Sequence, residues 1–163
     1  MASDLVEAWG MSNEANLYLL KEIPAKCLND SYTPRTRTVG GQFAHMHNVR
    51  LRWLKHAAPG LAGKAKVFPR GAVPTKKQLQ TALRVSEKLV ARFLEESAKS
   101  GRVKRWNGSP ASFLSYLVAH EAHHRGLAMV AMRMSGRKLS QETVYGQWQW
   151  GKQRNTQKKA VGR

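Results

Sequence analysis

Phe113–Met134 reads FLSYLVAHEAHHRGLAMVAMRM, an apolar stretch of helical length with His120, His123 and His124 at its centre. On an α-helix, residues four apart stand one turn above the other on the same face, so His120 and His124 present two imidazoles to a common point. His123 lies roughly 100° round the helix from His124 and is less able to share that point. A His-x-x-x-His pair is a recurrent way to hold a transition metal, because both neutral nitrogens reach one ion without backbone strain. The plainer reading is a pair that caps or fills a core. Buried imidazoles need partners, however, and a metal supplies one for each. Two donors make a weak site, so a third must come from elsewhere in the chain.

Working outward, Asn107-Gly108 marks a turn, and Ser109-Pro110 is a helix start with proline in the first helical position. The helix carrying the pair ends near Gly136. Upstream, Thr75 is an N-cap for a helix to about Ala98, with Leu79, Leu83, Leu89, Val90, Phe93 and Leu94 as its stripe. Arg102–Trp106 reads as a short extended segment. Residues 57–74 contain Pro59, Gly60, Gly63, Pro69, Gly71 and Pro74, which mark a long connection.

Thr38–His56 forms another helix, with Phe43, Met46, Val49, Trp53 and Leu54 as apolar members. It holds His45 and His47, and only one of them can face the interior; periodicity alone does not choose between them. A first helix runs from Asp4 to about Leu28, weakened by Gly10 and Pro24. Its end gives way to a loop with Asn29, Asp30, Ser31 and Pro34. There is no internal repeat and no sustained strand-like alternation. Four amphipathic helices joined by loops predict an all-α fold, a four-helix bundle. Bundles build metal sites between facing helices, which makes His45 the concrete candidate for the missing donor.

Composition sets the outer limits. A chain of 163 residues with 42% hydrophobic content fits one globular domain. We expect a single bundle over residues 1–152, closed by the short aromatic segment Tyr145–Gly151, and a mobile basic tail over 153–163. No apolar run reaches the roughly 20 residues of a membrane span, and no signal-peptide pattern opens the chain, so no membrane partner and a cytoplasmic location are expected. Cys27 is the single cysteine, which leaves histidines and carboxylates to build a metal site. The net charge of +18 favours polyanions by plain electrostatics. The cations are spread along the chain without a recognition motif, so weak adhesion at low salt is expected and sequence-specific nucleic-acid binding is not.

The segments FAHMHNVRLRWL, VAHEAHHRGLAMVAMR and YGQWQWGK together resemble the DinB/YfiT-like superfamily of four-helix-bundle metalloproteins, over roughly Asp4 to Lys152. The most specific element is H-x-x-x-H-R-G, here His120, His124, Arg125 and Gly126. Ala44-His45 matches the second-helix element and favours His45 over His47. The resemblance implies a metal bound by His45, His120 and His124. It also implies relatives that act as transferases or isomerases with a low-molecular-weight thiol such as bacillithiol or mycothiol. A homodimer is the expected assembly, and Asn16 matches a family asparagine loosely.

Three imidazoles leave a coordination position for water or a small-molecule substrate, as in catalytic rather than closed structural sites. Nickel, zinc, iron and manganese all suit such a donor set. Glu121 has two readings: a surface pair with Arg125 at i+4, which is the simpler, or a group that orients an imidazole or carries a proton, which makes it the candidate catalytic residue. His123 is expected to face solvent, and His47 is a candidate outer-shell group. Arg50, Arg52 and Lys55 read as a solvated face. Trp148 and Trp150 read as packing that pins the C-terminal segment, and Met129, Met132 and Met134 as core and interface filler. Two functional classes follow: a metal-dependent hydrolase or thiol (S-)transferase, and a non-catalytic metal-binding bundle that serves as a polyanion- or partner-binding module.

Overall fold

The structure, a computed structural model, describes residues 2–150. Four long helices carry the fold: α1 (Ala2–Glu22), α2 (Val39–Ala57), α4 (Lys76–Ser100) and α5 (Pro110–Met134). Two short ones accompany them, α3 (Pro59–Ala62) and α6 (Gln141–Gly146). No strand occurs among the described residues; Ser31 and Thr38 form one isolated antiparallel bridge. Each of α1 and α2 packs against both α4 and α5, which places the core between the two pairs. The fold is therefore the all-α bundle that the apolar periodicities predict.

Local chemistry explains the boundaries. Thr75 and Gln78 form a reciprocal capping box at the start of α4, each side chain bonding the other's backbone N–H. Gly101 ends α4 in the left-handed conformation at φ 69°, where a Cβ would be strained. Ser109 caps α5, followed at once by Pro110. Thr38 caps α2 by accepting from the Gly41 N–H at 3.0 Å.

The structure departs from the sequence expectations at several points. α1 stops at Glu22 rather than near Leu28, because Pro24 lacks the N–H a continuing helix needs; Ala25–Cys27 is a separate 3₁₀ turn. The 102–106 segment is not extended. It turns back on itself, with Trp106 N bonded to Val103 O at 3.2 Å and Val103 buried beneath it. The C-terminal aromatic segment is not pinned by its tryptophans: Trp148 is 67% and Trp150 53% exposed, while Gly146 and Gln147 are the buried members. α6, capped by Ser140, brings Gly146 against Tyr18 of α1, an approach that only a residue without a side chain permits. Of the three methionines, Met132 is core, Met129 packs at its edge and Met134 is exposed. The expected tail at 153–163 lies outside the described residues.

Arg50 is the largest departure. Its place in sequence beside Arg52 and Lys55 predicts a solvated face, yet it is fully buried while those two are exposed. Helical phase accounts for this. Arg50 lies four residues from both Met46 and Leu54, so it occupies a core position of α2.

Candidate metal centre

α2 and α5 meet where His45 faces His120 and His124. One nitrogen from each ring lies within 4.8 Å of the others, and the ring centroids are 4.5 to 5.3 Å apart. The Nε2 atoms of His120 and His124 are 3.1 Å apart. Two imidazole nitrogens on one tetrahedral ion would sit roughly 3.3 to 3.4 Å apart, so a shift of about 0.2 Å brings this pair to ligand spacing.

The tautomer of His124 is set from outside the trio. Gln42, three residues before His45 on α2, places its Oε1 2.7 Å from His124 Nδ1, and its Nε2 donates to Arg37 O at 3.5 Å. That second bond orients the amide, so its oxygen faces the imidazole. His124 Nδ1–H donates and Nε2 keeps its lone pair for the common point. The Nδ1 of His120 is buried without a hydrogen-bond partner, so that ring is held by its Nε2 side and by stacking on Tyr116 at 5.9 Å.

Protons compete weakly here. Burial, then the Arg37 guanidinium, lowers His45 from 6.5 to about 4. Burial, reinforced by the other two imidazoles, lowers His124 to about 3, and burial also lowers His120. All three rings are neutral near pH 7, the form a metal requires. The donor set thus fits a divalent transition metal.

The other candidates fall elsewhere. His47 is buried away from the trio, with Nδ1 2.9 Å from Ala82 O and Nε2 3.1 Å from Lys66 O; it is not an outer-shell group but a pin for the loop after α3. Asn48 fastens the same loop through both polar atoms to the backbone of Phe68. His123 is exposed, as expected.

Glu121 is not in a surface pair with Arg125. Only 1% exposed, it accepts from Arg50 Nε at 2.6 Å, from Arg50 Nη2 at 2.8 Å and from Asn16 Nδ2 at 2.6 Å. Arg125 reaches this cluster through Asn16, donating to its Oδ1 at 2.7 Å. Arg50 further donates to Asn13 Oδ1, Leu83 O and Ser86 Oγ and lies 4.6 Å from the Trp9 ring centroid. Glu121 thereby anchors the turn of α5 that carries His120, since the two are adjacent in the chain.

Sequence reasoning passed over Gln42 and the interior place of Arg50. Each had a signal: Gln42 shares a face with His45 at i+3, and Arg50 sits in phase with Met46 and Leu54.

An all-α bundle with three neutral histidines converging from two of its helices defines a helical protein equipped to bind a divalent metal. The sequence profile of the DinB family matches residues 1–158, and the chain belongs to that family. A search of curated proteins returned no match. Among the described residues, no helix is long and apolar enough to cross a membrane.

Proposed function

We propose that this protein is a metal-dependent enzyme, a hydrolase or a thiol (S-)transferase, with His45, His120 and His124 as the ligands of one divalent ion. The observation that carries the reading is the convergence of three neutral imidazoles whose first two members, His45 and His120, are only partly buried. Three protein donors on a rim leave room for a reactant, whereas structural sites are closed by four. A divalent ion held there supplies Lewis acidity, lowering the pKa of a water or thiol that reaches it.

The chain's own residues supply the rest. Gln42 holds the His124 tautomer, and the buried Glu121–Arg50 pair fixes the helix turn beneath His120. Glu121 is committed to Arg50 and Asn16, so its role is to position rather than to carry protons. Arg37, whose charge bears on all three imidazoles, favours an anionic small-molecule substrate or a thiolate.

A second reading, a non-catalytic metal-binding bundle that engages polyanions or a partner, draws on the +18 charge. Elemental analysis of protein purified without an affinity tag, beside His45→Ala and His120→Ala, tests the centre. About one equivalent of transition metal, lost in both variants, supports it; no metal and no uptake of Ni²⁺ or Zn²⁺ rejects it. Turnover of thiol-transfer or ester substrates by the loaded protein separates the enzyme from the binding module.

A further inference from the structure

A chain of aromatic rings leads away from the three histidines. It starts at His120, whose ring stacks on Tyr116 one turn earlier on α5 at 5.9 Å and 29°. Tyr116 meets Trp106 at 5.2 Å and Trp53 at 5.8 Å, and the two indoles meet edge to face at 5.5 Å. Three separate elements supply them: Trp53 from α2, Tyr116 from α5 and Trp106 from the turn between α4 and α5. Beneath lies Phe113, 1% exposed and within 5.3 Å of Trp53 and 5.4 Å of Trp106.

The outer three rings edge the core cluster that contains Phe113, and each is partly exposed where Phe113 is buried. Their polar atoms are arranged rather than loose. Trp53 Nε1 donates to Tyr116 Oη at 3.3 Å, and Trp106 Nε1 donates to Ser112 Oγ at 3.0 Å. Ring faces and edges beside a reactive centre suit a planar π system, which gains offset or edge-to-face contact beyond its area burial. Cationic groups act on the histidine end of this chain of rings. Arg52 lies two turns along α2 from His45 and is exposed, and both Arg52 and Arg37 act electrostatically on that imidazole.

We propose that Trp53, Trp106 and Tyr116 form the binding wall for the planar aromatic part of an anionic small-molecule substrate, whose reacting end lies at His45, His120 and His124. This rests on the metal-centre reading for its orientation, but the wall itself is defined by contacts that no ion is needed to make. Tyr116 accepts from Trp53 and retains its own hydroxyl proton to donate to the bound molecule. The wall selects ring shape, the arginines select charge, and the centre receives what they deliver.

The test is calorimetric binding at low salt, using 2-naphthoate and its saturated analogue decahydro-2-naphthoate on the full chain, metal-free and Zn²⁺-loaded. The aromatic acid should bind about two- to tenfold more tightly than the saturated one. Trp106→Leu and Tyr116→Leu should each erase that preference while circular dichroism shows a folded bundle, and Trp148→Leu, at an exposed tryptophan remote in sequence, should keep it. Equal affinities of the two acids for the unaltered protein, or no binding of either, overturn the wall whether or not the variants fold. Zn²⁺ stoichiometry measured on the same samples separates the two ideas: aromatic preference without metal uptake removes the metal centre and leaves the wall, and metal uptake without preference does the reverse.

Discussion

Arg50 Nε lies 2.6 Å from Glu121 Oε1, and neither side chain has more than 1% of its surface exposed. The pair joins α2 to α5 directly behind the three histidines, in a core where an unpaired charge is expensive. Asn16 extends it to Arg125, so one carboxylate serves a neighbourhood with two buried guanidinium groups.

Removing that carboxylate should therefore be severe. Glu121→Ala leaves Arg50 buried without its counter-charge and should cost about 3 to 5 kcal/mol. Urea denaturation measures this directly, and a loss under about 1 kcal/mol would show that the ion pair does not hold the helices together.

Gln42 offers a milder lever. Gln42→Leu keeps the bulk but removes the acceptor for His124 Nδ1–H, freeing the ring to rotate and change tautomer. Metal affinity should fall about 10- to 100-fold, as is typical for outer-shell partners of a ligating histidine. Competition with a chromophoric chelator reads the change, and unaltered affinity would mean that packing alone orients the ring.

Acid should weaken the metal-free protein in a defined window. His45 and His124 ordinarily titrate at 6.5 but are held to about 4 and about 3 in the fold. Folded protein then binds fewer protons than unfolded protein below pH 6.5, so their contribution is complete above that pH and is lost as pH falls toward 4 and then 3. Melting temperature should drop between pH 7 and 5, and less steeply in His124→Gln. Parallel slopes in the two proteins would contradict the assignment.

At α4 the capping box can be tested without touching the site. Thr75→Ala removes the acceptor for Gln78 N–H and should cost about 1 kcal/mol. In a chain of this size that corresponds to a melting temperature lower by about 2 to 4 °C. No shift would indicate that the helix start is held by packing alone.

Much of this architecture was legible in the chain. Thr75, Ser109-Pro110 and Gly101 mark helix ends through strictly local chemistry, and the apolar stripes between them leave few alternatives to a bundle. The i, i+4 spacing of His120 and His124 places two rings together for the same local reason. His45 was harder, because His47 has an equal claim on periodicity; the family-like Ala44-His45 element favoured the first, and the structure brings it to the pair while turning His47 to the loop at Lys66.

What remained hidden depends on contacts between distant segments. Arg125 stands four residues after Glu121, so a local pair is the natural expectation. Only the packing of α2 on α5 brings Arg50, 71 positions away, to the carboxylate instead. The aromatic wall likewise draws Trp53, Trp106 and Tyr116 from three elements that no spacing rule relates. Helix starts, stops and faces are set by neighbours within a turn or two, and the sequence by itself determined them. Which buried charge meets which partner was decided by tertiary structure, because in a dry interior the energy of a charged group depends on whichever segment folding brings beside it.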